Sequence, residues 1–221
     1  MGGWPRRSGR VSCTCTVWTA GSNALTPLPA FSPLIFMGEE YGETAPFQYF
    51  VSHSDPELIE AVRRGRQEEF SAFEWHGETP DPQSEETFLR SKLNLNLLKE
   101  ERHRLLWNFY RELIRLRHRL SPLALLSKDH LEAQSPEPAR VFWVRRWKGE
   151  EQVFLAYNFG SSQVSVTMPV PQGSWRKEFD SEGEEWKGKG ELNPNPLPSD
   201  GQTSLALHPR SIVLFSRREE G

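Results

Sequence analysis

The sequence predicts an α+β chain in which one buried strand and several helices precede an antiparallel β-sandwich. The run Leu34–Met37 is wholly apolar and is bounded by Pro33 and Gly38, which is typical of a strand buried on both faces of a parallel sheet. From residue 54 to residue 119, apolar residues recur at helical spacing. Beyond Ser121 the spacing becomes that of strands, and the number of predicted strands indicates a sandwich.

A loop rich in glycines and carboxylates follows the predicted strand and contains Glu39, Glu40 and Glu43. Polar loops at the carboxyl ends of parallel strands are where barrels of such strands keep their sites. If strand geometry continued, the adjacent Glu39 and Glu40 would point to opposite faces and would not form a paired acid and base. A loop conformation would bring either one toward a ligand. The alternative interpretation is that a carboxylate braces the neighbouring backbone.

Two shorter helices are predicted next. Ser54 or Asp55 caps the first, with Pro56 in its first turn, and Leu58, Ile59, Val62 and Phe70 recur at helical spacing. Gly65 inside this helix weakens it by about 1 kcal/mol relative to alanine. After the turn at residues 80–82, Ser84 is placed to cap a second helix that runs through Leu89.

A longer amphipathic helix is predicted between Lys99 and Arg119. Its apolar stripe consists of Leu105, Leu106, Phe109, Leu113, Ile114 and Leu116. Aromatic residues at helical spacing usually bury apolar area, so we interpret Trp107 and Tyr110 as packing residues rather than platforms for a ligand.

The remainder predicts an antiparallel β-sandwich after a boundary at Ser121-Pro122. Lys148-Gly149 is a hairpin signal between two strand-like runs. The predicted strands cover residues 141–147, 152–157, 163–168, 174–179, 204–208 and 211–215. Residues 183–200 are rich in Gly, Pro, Glu and Lys, and predict a mobile loop.

Composition excludes several classes of function. The net charge is −3, and basic and acidic residues are interspersed, so no basic field for nucleic acid is present. No apolar stretch approaches the roughly 20 residues that span a bilayer, so we expect no membrane partner. Cys13 and Cys15 lack further ligands for a metal site. The absence of other cysteines fits a reducing compartment, and we expect a cytoplasmic protein.

Three segments together carry a resemblance to a known family: Phe36–Phe47, Ser54–Phe70, and Pro80–Gln83 followed by Thr87–Leu93. In this order they resemble the part of malto-oligosyltrehalose trehalohydrolases that begins at the last barrel strand. These enzymes belong to the α-amylase superfamily of glycoside hydrolases. The resemblance extends from Phe31 to the C-terminus, where Val153–Gly160 is similar to the small all-β domain of amylase relatives.

The resemblance implies a fold and a domain division. Residues 31–121 would be the C-terminal part of a catalytic (β/α)8 TIM barrel, and residues 122–221 an all-β accessory domain. A complete barrel of this type needs about 250 residues, more than the 221 of the whole chain. Residues 1–30 do not resemble the family, and we expect them to be loosely ordered. Their arginines and lack of acidic residues superficially match an organellar transit peptide, but we favour a wrong start or a shifted reading frame ahead of Phe31.

The resemblance also implies an activity for the parent enzyme: hydrolysis of the α-1,4 bond next to the terminal trehalose of maltooligosyl trehalose, without cofactor or metal. The Asp nucleophile, the Glu general acid and the further Asp of such enzymes have no counterparts here, so no catalytic residue is assigned. We expect the chain alone to be inactive. Two alternatives remain. The chain is either a non-catalytic carbohydrate-binding or stabilising module, or a piece of a glycogen branching or debranching relative.

What the chain would retain is part of the substrate cleft for malto-oligosaccharide or maltooligosyl trehalose. Aromatic faces stack on the apolar faces of glucose rings, and a carboxylate accepts hydrogen bonds from sugar hydroxyls. The candidate substrate-binding residues are Glu40, Tyr41, Phe47, Tyr49 and Phe50. The alternative is that these aromatic side chains pack the loop against the rim of the barrel.

Overall fold

The computed structural model describes residues 34–72, 80–125, 127–135 and 140–218. The interpretation of residues 1–30 therefore lies outside the described residues. The described part forms two compact units, one of residues 34–42 and 98–218 and one of residues 43–97.

The unit of residues 43–97 contains the two shorter helices, as predicted. Helix α1 spans Pro56–Ala72, and the Asp55 carboxylate accepts hydrogen bonds from the backbone N–H groups of Glu57 and Leu58 at its start. Gly65 does not interrupt this helix. Helix α2 spans Glu85–Ser91 and is capped by the hydroxyl of Ser84, as expected for a serine before a first turn. A 3-10 turn, Leu95–Lys99, follows.

Helix α3, Glu101–Arg119, is the long amphipathic helix, and a single turn, α4, follows at Ser121–Ala124. The buried side chains of helix α3 are His103, Leu106, Phe109, Tyr110, Leu113 and Leu116. The packing role of Tyr110 is thereby confirmed. Ile114, which the sequence analysis placed on the apolar stripe, is exposed, and Trp107, which it interpreted as a packing residue, is 39% exposed.

The described residues after this turn contain eight strands: β1 Leu131–Gln134, β2 Val141–Lys148, β3 Glu151–Asn158, β4 Val164–Met168, β5 Gly173–Asp180, β6 Leu197–Ser199, β7 Thr203–Leu207 and β8 Ser211–Arg218. Six of them form one sheet in the order β1-β2-β3-β8-β5-β6, and β4 pairs with β7 in a second sheet. Every pairing is antiparallel. The predicted antiparallel sandwich is confirmed.

The large sheet is covered on both faces because its strands alternate apolar side chains between them. Val144, Leu155 and Leu214 face a core that they share with helix α3. Their neighbours along the strands face a second core shared with β4 and β7, which includes Trp143, Phe154, Trp175, Val213 and Phe215. Aromatic rings dominate this second core, and Phe154 stacks on Phe215 with 5.0 Å between ring centroids.

The predicted buried strand at Leu34–Met37 is wrong for this chain. Residues 34–36 have no regular structure, and the side chain of Leu34 is 82% exposed. A parallel strand takes its hydrogen bonds from neighbouring strands, and the described residues supply none beside this run. Only Ile35 of the four packs against the core that contains helix α3.

Residues 183–200 are also more structured than a mobile loop. They contain a 3-10 turn at Glu184–Trp186 and strand β6, and Asn193 exchanges hydrogen bonds in both directions with the backbone of Ala206. Trp186 and Leu197 are buried. Glycine and proline in this segment shape turns of a packed segment, which composition alone does not distinguish from a mobile one.

Candidate functional site

The loop that the sequence marks as a site forms a compact 3-10 turn at Glu39–Tyr41. It is flanked by Gly38 and Gly42, whose φ angles of 88° and 69° lie in the left-handed region that favours glycine. The Glu39 carboxylate accepts a hydrogen bond from the backbone N–H of Phe36 over 3.0 Å. The two glycines thus let the chain reverse direction, and Glu39 closes the turn.

Helix α3 holds this turn through His103. The Nδ1 atom of His103 lies 2.6 Å from the carbonyl oxygen of Tyr41, and Arg102 Nε donates to His103 Nε2 over 2.9 Å. Because an arginine nitrogen is only a donor, Nε2 must accept, which places the imidazole proton on Nδ1 and makes it the donor to Tyr41. The sequence analysis missed this residue. Its signal was its spacing from Leu106 and Tyr110 on the buried face of the helix.

The Tyr41 side chain is only 1% exposed. Its predicted role as a platform for a sugar ring is therefore not supported in this conformation, because a buried ring has no face open to a ligand. Tyr110 of helix α3 is also buried, and burial together with the negative charges of Glu39 and Glu40 raises the pKa of its hydroxyl. Both tyrosine side chains are therefore buried packing residues.

The three carboxylates of the loop differ in what they bind. Glu39 braces its own turn, as described above. Glu43, in the other unit, accepts the N–H groups of Thr44 and Ala45 with one oxygen and that of Asn94, over 2.6 Å, with the other. Within the described part of the chain, no hydrogen bond or ion pair engages the partly exposed carboxylate of Glu40. Bracing of backbone is thus confirmed for two of the three, and Glu40 retains acceptor oxygens.

The predicted aromatic residues Phe47, Tyr49 and Phe50 all lie in the unit of residues 43–97 and are exposed. The Phe47 side chain is 70% exposed. The Arg66 guanidinium lies over the Tyr49 ring, 5.1 Å from its centroid, and the edge of Phe88 meets Phe50 with 5.2 Å between centroids. Among the three, Phe47 presents the most ring surface to solvent.

In the part of the chain that the structure describes, no three His, Cys, Asp or Glu side chains converge as metal ligands would. None of the helices in the described ranges combines the length and apolar character that crossing a bilayer requires.

Comparison with known proteins shows which families this chain resembles. Residues 133–218 match the alpha amylase C-terminal all-beta domain, which covers seven of the eight strands in full. The malto-oligosyltrehalose trehalohydrolase of Mycobacterium tuberculosis (strain CDC 1551 / Oshkosh) is 41% identical over 194 residues, 86% of this chain. That of Rhizobium sp. (strain M-11) is 42% identical over 146 residues, 66% of this chain. The chain is similar to one part of the malto-oligosyltrehalose trehalohydrolases.

The chain spans 29% of the length of the mycobacterial trehalohydrolase and 24% of that of the Rhizobium one. A crystal structure of a provisionally named alpha amylase from Salmonella typhimurium superposes with a TM-score of 0.64 at 29% identity, over 93% of this chain and 31% of that one. Isomaltulose synthase from Klebsiella sp. LX3 superposes with a TM-score of 0.54 at 18% identity, over 93% and 38% of the two chains, which shows a shared fold. The structure therefore corresponds to part of an α-amylase-type glycoside hydrolase.

Proposed function

We propose that the protein to which this chain belongs hydrolyses the α-1,4 bond next to the terminal trehalose of maltooligosyl trehalose and releases trehalose. The observation that carries this proposal is the 41% identity to a trehalohydrolase over 86% of the chain. We place this activity in trehalose biosynthesis and in the cytoplasm, on the grounds of the relatives' name and of the near absence of cysteine.

The domain division follows the same proposal. Residues 31–121 would belong to the catalytic barrel and residues 122–221 to the all-β accessory domain, with residues 1–30 outside both. The match of residues 133–218 to the all-beta domain supports the second of these ranges.

We propose that the chain alone is inactive. Retaining glycoside hydrolases need one carboxyl group as general acid and a second one about 5 Å away as nucleophile. Glu39 and Glu43 already accept hydrogen bonds from backbone amides. That leaves Glu40 as the single carboxylate of the loop without such a bond among the described residues. One carboxylate does not supply both roles.

We further propose that Glu40, Phe47, Tyr49 and Phe50 contribute to the substrate cleft of the complete enzyme. The available oxygens of Glu40 suit sugar hydroxyls, and the exposed aromatic rings suit the apolar faces of glucose. Tyr41 would contribute through its backbone and its packing, since its ring is buried. The second candidate function, a non-catalytic carbohydrate-binding module, is favoured by the same exposed aromatic rings.

The test is a chimera in which the matched residues of this chain replace the corresponding segment of the mycobacterial trehalohydrolase. We expect the chimera to release trehalose from maltooligosyl trehalose and the chain alone to release none. A chimera that folds but forms branches or releases only malto-oligosaccharide would assign the chain to another amylase relative. Binding of maltoheptaose by the chain, with an inactive chimera, would favour the non-catalytic module.

The site is tested in the same chimera. We expect E40Q to lower kcat/KM by about tenfold, because a charge-assisted hydrogen bond is lost. F47A should also lower it, by removing ring surface. The matched controls are E57Q and L89A, which change exposed residues of the two short helices. Equal effects of test and control substitutions would contradict the proposed site.

A further inference from the structure

A cationic cavity lies where the C-terminal end of helix α3 meets strands β5 and β8. Its volume is about 390 Å³, within the range of about 300 to 1,000 Å³ for small-molecule sites. Four arginines line it: Arg119 from the helix, Arg176 from β5, and Arg217 and Arg218 from β8. This concentration of positive charge stands out in a chain whose net charge is −3.

A buried carboxylate holds two of these arginines in place. The Glu178 side chain, 5% exposed, lies 2.5 Å from Arg119 Nη2 through one oxygen and 2.5 Å from Arg176 Nη2 through the other. Ser216 also donates to Glu178. Burial alone would raise the pKa of Glu178, but the hydrogen bonds from Ser216, Arg119 and Arg176 outweigh it and lower the pKa. Glu178 is therefore a fixed anion that orients two guanidinium groups.

Those two guanidinium groups keep donors for a further ligand. A guanidinium has five N–H donors, and the contacts with Glu178 use only some of them. The side chain of Arg176 is 67% exposed, so its remaining donors are open to the cavity and solvent. Arg217 is occupied differently, because its guanidinium lies 5.7 Å from the centroid of the Trp175 ring.

Arg218 and Ser174 also line the cavity. Within the described ranges, no carboxylate forms an ion pair with Arg218, and no hydrogen bond engages the Ser174 hydroxyl. Glu151, the cross-strand neighbour of Arg218, instead accepts hydrogen bonds from the backbone N–H and the hydroxyl of Ser121. The two carboxylates near the cavity are thus already engaged, while Arg218 and Ser174 retain donors.

We propose that this cavity binds a phosphate group, either as free phosphate or on a small phosphomonoester. Arginine is the residue whose planar fork matches the oxygens of phosphate, and Arg119, Arg176 and Arg218 come from three different elements to surround the ligand. The Ser174 hydroxyl supplies a neutral donor. The cavity is roomy enough for an organic group attached to the phosphate. This site is independent of the proposed glycosidase activity.

The test titrates the full chain with inorganic phosphate by isothermal calorimetry at low ionic strength. We expect saturable binding of one phosphate per chain, and about tenfold weaker binding to R218Q, because a charge-assisted hydrogen bond is lost. The control is R111Q, which removes an equal charge from an exposed position on α3 outside the cavity and should leave the affinity unchanged. S174A provides a second variant that keeps every charge and should weaken binding several-fold.

A second titration uses β-glycerophosphate, a small phosphomonoester, to distinguish the two sources of phosphate. Tighter binding than that of inorganic phosphate assigns the site to phosphomonoesters, and weaker binding assigns it to the free ion. The proposal is overturned if no saturable binding is detected at tens of millimolar phosphate. It is equally overturned if R218Q and R111Q, both shown to be folded by circular dichroism, bind phosphate alike.

Discussion

The imidazole of His103 donates a hydrogen bond to the backbone carbonyl of Tyr41 over 2.6 Å, and it thereby ties helix α3 to the Glu39–Tyr41 turn. His103 is 62 residues away from Tyr41 in sequence and is buried. The position of Glu40, between two left-handed glycines, consequently depends on a side chain of the helix.

Removing this imidazole should destabilise the chain. We expect H103A to lower the free energy of unfolding by about 1 to 3 kcal/mol, because a buried carbonyl loses its donor. Urea denaturation followed by circular dichroism measures the change. The control is H118A, an exposed histidine of the same helix, which should change stability by less than about 0.5 kcal/mol. Equal effects of the two substitutions would show that the hydrogen bond contributes nothing.

Gly42 should not tolerate a side chain. A Cβ atom there would lie 3.2 Å from Leu106 Cδ2, and φ is +69°, so we expect G42A to cost roughly 1 to 2 kcal/mol. Gly65 offers the opposite case, since a Cβ atom meets nothing within 4 Å in the middle of helix α1. G65A should be neutral or stabilise by up to about 1 kcal/mol. Thermal unfolding of both variants tests the pair, and a harmless G42A would contradict the turn geometry.

Asp180 should make stability depend on pH. Burial raises the pKa of its carboxyl from 3.8 to about 6, while the backbone N–H of Glu182 and the charge of Lys177 oppose the rise; Glu191 and His208 also face it. The pKa of the Asp180 carboxyl is higher in the folded chain than in the unfolded chain. The contribution of Asp180 to the free energy of unfolding is therefore fully present below about pH 4 and is lost as pH rises through about 6.

The expected size of this effect is on the order of 2 to 3 kcal/mol, since one pKa unit corresponds to about 1.4 kcal/mol. The measurement is the free energy of unfolding of the parent chain and of D180N at pH 4 and pH 7. Stability should fall more between these pH values in the parent chain than in D180N. Comparing the two chains cancels contributions that do not involve Asp180, and an identical pH dependence would contradict the prediction.

Phe109 should be far more sensitive than its neighbour Trp107. Its buried ring meets Phe179 and Trp186 edge-on, with 5.2 Å and 5.1 Å between centroids, so F109A should cost about 3 to 5 kcal/mol. Trp107 is exposed on the same helix, and W107A should cost less than about 1 kcal/mol. Denaturant unfolding of the two variants provides the comparison. A large loss in W107A alone would place the buried face of the helix elsewhere.

The sequence predicted most of the sandwich because alternation of apolar residues reports burial directly. It missed β1, whose Leu131–Gln134 includes two polar residues, and β6, whose three residues include Pro198. Short edge strands carry few side chains, and a proline argues against a strand. Both lie at the edges of the six-stranded sheet.

The candidate site was only partly predictable for a different reason. Glu39 and Glu43 accept hydrogen bonds from nearby backbone N–H groups, so the composition of the loop was enough to predict that carboxylates would brace its backbone. The burial of Tyr41 and its bond to His103 depend on the path of helix α3, which local sequence does not encode. The prediction of a strand at Leu34–Met37 was wrong because a strand is defined by its hydrogen-bonded neighbours as much as by its own residues.

The large sheet has one face covered by helix α3 and the other by β4 and β7, and this has a consequence for how such proteins diverge. The change at Ser121 separates two kinds of secondary structure but not two hydrophobic cores, because Phe109 and Leu113 share a core with Leu155 and Leu214. A substitution that enlarges a side chain on the helix demands a compensating smaller one on the sheet. We therefore expect substitutions in the helix and in the sandwich to be correlated among related proteins. An all-β domain exchanged without helix α3 would expose one apolar face of its large sheet.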